Sequence, residues 1–224
     1  MQQLLSFARL DLITIKPYLT WKNLAIVCLL PIFLMWGNQS SPFAIGTIMM
    51  MSALYISYPF SVGEQNGIDA LYVTLSIAPR TVVYGRYLFA ALLNLGTALL
   101  AFLLIFISSI VLGTAFSALE TGLIILALLL VYSFIQAFQL PIFFRYGHAK
   151  ARFAAYLPFA VLPLAGVGAA SLMRITGLLD KMAEVPLWIE RHPALFIGGL
   201  VALIFGIQLL SCKLALSFYR KREF

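Results

Sequence analysis

Glu64-Gln65-Asn66-Gly67-Ile68-Asp69-Ala70-Leu71-Tyr72-Val73-Thr74-Leu75-Ser76-Ile77-Ala78-Pro79-Arg80, closing with Gly85-Arg86-Tyr87, is the longest polar interruption in an otherwise apolar chain. At about 3 kcal/mol each, Glu64, Asp69, Arg80 and Arg86 would together cost on the order of 10 kcal/mol at a bilayer centre. The segment is therefore expected outside the membrane. Within it, Ile68, Leu71, Tyr72 and Leu75 fall at i, i+3, i+4 and i+7, which predicts a two-turn amphipathic helix over Ile68–Ser76. Asn66 is expected to cap its start, Asp69 to complement its dipole and Pro79 to stop it.

Outward from this stretch the chain is lipid-soluble. Its 224 residues are 62% hydrophobic and only 10% charged, with mean hydropathy +1.00. A water-facing surface carries charge at roughly a quarter or more of its positions, so a soluble globule is excluded. Apolar runs of about 20 residues match a hydrocarbon core about 30 Å thick. The expected fold is all-α and polytopic, a single membrane domain over 1–224. Its six spans are near 21–38, 42–62, 87–112, 121–144, 153–173 and 194–218. The first is the shortest apolar run and reaches crossing length only with Trp21 and Lys22 included. Residues 1–20 place Leu4, Ala8, Leu12 and Ile15 on one face, with Gln2, Arg9 and Lys16 opposite. They are expected to form an interfacial helix lying in the headgroups.

Charge orients the spans. The net charge is +7, and of the 15 Lys and Arg only Arg174, Lys181 and Arg191 fall on the side opposite Arg80 and Arg86. This bias places both termini and the 64–86 segment in the cytoplasm of a cell membrane. Basic residues at span ends also explain the charge without nucleic acid. The 174–193 connection, with Val185-Pro186-Leu187-Trp188-Ile189, reads as a small interfacial cap.

No catalytic or metal-ligating pattern stands out. Cys28 and Cys212 lie in apolar spans, and His148 and His192 in connections. Intramembrane chemistry and ion coupling need ionisable groups at depth, and only Lys22 and Lys213, at span ends, qualify. A P-loop is missing as well, so the chain is expected to bind no cofactor itself and not to be an enzyme. Asn94, Gln136, Gln139 and Gln208 are the amides within the spans. They either bond helix to helix or line a translocation path. The helix at Ile68–Ser76 either rests its apolar stripe on lipid or enters a groove on a cytoplasmic partner.

The layout of an amphipathic N-terminal helix, six spans and a Glu-x-x-Gly-Ile-Asp-x-Leu-Tyr segment resembles the permeases of type 2 ABC transporters, the small bacterial ones without a large outer domain. The Pro79-Arg80 and Gly85-Arg86-Tyr87-Leu88 steps and the ending Ser217–Phe224 share in the likeness. The resemblance implies that residues 1–20 form an elbow helix and that Gly67–Ser76 is the coupling helix that docks on an ATPase. By position, Glu64, Gly67, Ile68, Asp69, Leu71, Tyr72, Leu75 and Arg80 would serve that coupling. It further implies a pair of permease chains, identical or related, with two ATP-binding subunits that hold the ATP and Mg. The expected function is ATP-driven export of amphipathic or antimicrobial peptides or hydrophobic compounds. The alternative is a membrane anchor that recruits a cytoplasmic partner and transports nothing.

Overall fold

A computed structural model describes residues 2–18, 20–23, 25–26, 29–30, 33, 41–177, 189 and 191–221. Its labelled helices are α1 (Gln2–Ile15), α2 (Ser41–Tyr55), α3 (Tyr58–Gln65), α4 (Ile68–Thr74), α5 (Pro79–Leu112), α6 (Ala118–Tyr146), α7 (His148–Ile175) and α8 (Pro193–Arg220). No strand occurs among the described residues. Taking α2 and α3 as one unit, five stretches among the described residues are long and apolar enough to cross a bilayer: Ser41–Gln65, Pro79–Leu112, Ala118–Tyr146, His148–Ile175 and Pro193–Arg220. They correspond to the second through sixth expected spans. The expected first span and the 174–193 cap lie largely outside the described residues.

Local chemistry sets the breaks. Pro59 stands in the first turn of α3, Pro79 in that of α5 and Pro193 in that of α8, where a missing N–H costs no helical bond. The second span, expected as one helix, is divided at Ile56-Ser57. Ser57 Oγ donates to Leu54 O at 2.8 Å there, and Pro59 cannot continue the ladder across the break. Gly113 closes α5 at φ +66°, in the left-handed region. Ser117 opens α6 by accepting from the Glu120 N–H. With 34 residues, α5 is about 50 Å long, far beyond a hydrocarbon core of about 30 Å. Its first turns, with Arg80 and Arg86, therefore project past the membrane, as the charges require.

Among the described residues, two apolar clusters fill the bundle. One lies where α1, α3, the start of α5, the end of α6, the start of α7 and the end of α8 converge, and includes Phe7, Phe60, Phe89, Phe143, Phe144 and Tyr219. The other lies among α2, α5 and α6 and includes Ile45, Ile48, Met49, Ala101 and Tyr132. Between them runs a polar belt. Asn94 Nδ2 donates to Gln136 Oε1 at 2.7 Å, and Gln136 Nε2 returns a bond to Asn94 Oδ1 at 2.8 Å. Gln136 Nε2 also reaches Ser52 Oγ at 3.4 Å, so three helices meet on one closed amide pair. Gln208 Nε2 donates to Ser133 O at 3.0 Å, and Ser211 Oγ to Ala137 O at 2.7 Å, fastening α8 to α6. Satisfied amides of this kind fix helix register where lipid supplies no hydrophobic drive.

Two local expectations are corrected. Asn66 does not cap the start of α4. Its side chain donates to Val62 O at 2.9 Å and closes α3, while Gly67 at φ +62° turns the chain. Pro79 does not stop α4, because it begins α5. The stop is Ser76 at φ 52°, with Ile77 N–H donating to Tyr72 O at 2.9 Å, a left-handed C-terminal closure that a residue other than Gly rarely adopts.

Candidate functional site

The amphipathic stripe on α4 divides when it folds. Tyr72 turns inward, its ring 5.2 Å from that of Phe7 on α1. Leu71 and Leu75 point out, 52% and 62% exposed. Ile68 is half-buried and Arg80 exposed, while the Asp69 side chain lies outside the described residues. The result is a short helix fastened by one edge that, with the turn closing it, presents two leucines at the basic end of the bundle. Arg145, Lys150, Arg152 and Arg220 gather at the same end, since α6, α7 and α8 start or finish there.

α1 packs one face on the bundle. Phe7, Ala8, Asp11 and Ile15 are buried, whereas Leu12, expected on the apolar face, is exposed. Close approach to α5 depends on Gly85, where an added Cβ would stand 2.6 Å from Phe7 Cδ1 and 3.0 Å from Phe7 Cβ and Cγ. At the next residue of α5, Arg86 Nε lies 3.2 Å from Oδ2 of Asp11, one turn along α1 from Phe7, and both side chains are 4% exposed. The Arg86 guanidinium also sits 4.3 Å over the Phe60 ring. For Asp11, removal from water outweighs the attraction of Arg86, and burial pushes its carboxyl up to about 6. Beside Arg86 is a cavity of about 10 Å³, lined in part by Glu64, Val82 and His148 and of a size for one water. Nothing in the sequence pattern singled out Asp11. A lone acid on an amphipathic face reads as solvent-facing until its partner, 75 positions away, is placed beside it.

Glu64 has a definite partner. Its Oε2 accepts from the His148 N–H at 2.6 Å and the Ala149 N–H at 2.9 Å. A carboxylate on the free N–H groups opening a helix contributes about 1 kcal/mol. Gly147 makes room for it, since a Cβ there would lie 3.1 Å from Glu64 Oε2, and its φ of +77° suits glycine. Glu64 thus joins the end of α3 to the beginning of α7.

Three of the four span amides come together. Asn94, Gln136 and Gln208 line a cavity of about 350 Å³ among α5, α6 and α8, with Leu95, Leu129 and Phe205 on its mainly apolar wall. Gln139 stands apart. It is fully buried, and neither amide atom has a hydrogen-bond partner among the described residues. No group of three His, Cys, Asp or Glu able to hold a metal occurs among the described residues.

A helical bundle with five stretches among the described residues long and apolar enough to cross a bilayer, bracketed at one end by basic residues, points to an integral membrane protein. The family model of ABC-2 family transporter proteins matches residues 8–220, and the chain belongs to that family. No curated protein and no solved structure matches the chain. Membership of an ABC-2 permease family implies an ATPase partner in general terms.

Proposed function

We propose that this chain is the permease subunit of an ATP-driven exporter in the cytoplasmic membrane, with α4 as the helix that docks on a separate ATPase. The observation that carries the reading is the pair of exposed leucines, Leu71 on α4 and Leu75 just past its end, on a segment tied to α1 through Tyr72 and leading directly into α5. An apolar knob on a short tethered helix suits a groove on a partner. Its surroundings suit the cytoplasmic side, because Arg145, Lys150, Arg152 and Arg220 cluster there. ATP and Mg would be held, and ATP hydrolysed, by the partner. The chain supplies the path, as one of two permease chains served by two ATPase subunits. A mainly apolar cavity beside amides favours a hydrophobic compound or an amphipathic peptide as cargo.

Leu71→Asp tests the docking surface. Because Leu71 is exposed, the variant should fold and keep its helix content, yet lose co-purification of a P-loop ATPase. Undiminished recruitment would remove α4 from the interface. Vesicles reconstituted with both subunits should show ATP-dependent flux of a hydrophobic or peptide cargo. A non-transporting anchor gives none.

A further inference from the structure

α7 is the least embedded of the long helices. Its buried residues are Ala151 and Ala155, both in the first third, and beyond them most of the helix is exposed. Its position is therefore fixed near its start. There, the Glu64 carboxylate holds the His148 and Ala149 N–H groups, Tyr156 OH donates to Ser57 Oγ at 3.0 Å, and the His148 ring lies 5.5 Å from that of Phe143. Two of these ties reach α3 or the turn just before it. α3 ends at Gln65, and Asn66-Gly67 alone separates it from α4. A displacement of α4 thus arrives at Glu64 within one turn of chain, and from Glu64 it has a direct charged connection to the first turn of α7.

From this geometry we infer that Glu64 is a positioning residue that carries movement of α4 into α7, rather than a contact for the ATPase. The inference rests on the reading of α4 as the docking helix. That helix then drives two crossings at once. α5 follows through the covalent run Ile77–Pro79, and α7 follows through a hydrogen-bonded carboxylate. α5 also packs on α1, α2, α6 and α8, whereas α7 packs mainly on α6. The same push should accordingly move α7 further than α5.

The test uses the full chain assembled with its ATPase in lipid, with Cys28 and Cys212 replaced by Ser. Labels are placed at Leu164 on α7 and Leu99 on α5, both exposed, and labelled complexes are diluted with unlabelled chain. In the otherwise unaltered protein, adding ATP should change the distance between the labels. Glu64→Ala should abolish that change while the ATPase still co-purifies, and Glu64→Gln, whose carbonyl still accepts from the two N–H groups, should keep most of it. Gly147→Ala attacks the same contact from the other side and should reproduce the loss. A nucleotide-dependent change that persists in Glu64→Ala with the ATPase bound overturns the inference, as does an α7 that stays still in the unaltered complex. An unaltered chain that recruits no ATPase instead overturns the docking role of α4, and the inference with it.

Discussion

Gly85→Ala is the sharpest perturbation of the α1 contact. The new methyl would stand 2.6 Å from Phe7 Cδ1 and 3.0 Å from Phe7 Cβ and Cγ. Because two of the three atoms belong to the root of that side chain, rotating the ring cannot clear the overlap, and α1 itself must shift. Overpacking of this kind costs about 1–3 kcal/mol. A loss of about 2 kcal/mol raises the fraction of molecules with α1 undocked by roughly 30-fold. Amide hydrogen exchange reads this directly: protection in α1 should fall by about that factor, while amides inside α6 keep theirs. Phe7→Ala removes the obstacle but leaves a cavity, at about 3 kcal/mol. In that background Gly85→Ala should add little, a coupling of about 1–3 kcal/mol between the two sites. Unchanged α1 exchange in Gly85→Ala, or full additivity in the double variant, would refute the packing argument.

The remaining expectations concern the polar groups. Asn94→Leu leaves the fully buried Gln136 without its reciprocal partner and should lower stability in detergent by about 1–3 kcal/mol, whereas Asn94→Leu/Gln136→Leu should recover part of the loss. Thermal unfolding of the three proteins against the original separates these outcomes. Asp11 gives docking of α1 a pH dependence. Its carboxyl is raised by burial from 3.8 to about 6, so the docked state binds the proton more tightly. The contribution to docking is fully present below pH 3.8 and is lost as pH rises through about 6, at up to about 1.4 kcal/mol per pH unit. Exchange of α1 amides, corrected for intrinsic rates, should follow that sign, and Asp11→Asn should flatten it.

Much of the fold could be read from apolar run length alone, because a bilayer sets a minimum span and leaves few alternatives to helix. The second expected span is filled by α2 and α3 together, the fourth through sixth each find a helix extending slightly past both expected ends, and the third begins eight residues early, at Pro79, and ends as expected at Leu112. What the sequence hid was local and long-range. The break at Ile56-Ser57 was masked by continuous apolarity, with Pro59 as the one available signal. Ser76 in the left-handed region gave none, since Ser is an uncommon residue there. The α4 stripe was legible as a stripe, but its division into inward Tyr72 and outward Leu71 depends on Phe7, which comes from a distant helix. Glu64 illustrates the same limit. Its charge placed it outside the membrane, but its bond to His148 N–H spans 84 positions, and no periodicity carries that information. Of the amides, Asn94 and Gln136 are resolved into a closed pair on a cavity wall, which accommodates both helix bonding and a place on a path.

Coupling through α4 depends on where that helix lies and what covers it. Leu71→Cys in a chain with Cys28 and Cys212 replaced by Ser, probed with an impermeant thiol reagent, addresses both. Labelling is predicted in inside-out vesicles and not in intact cells, with protection when the ATPase is bound. Labelling of intact cells, or equal labelling with and without the ATPase, would contradict it.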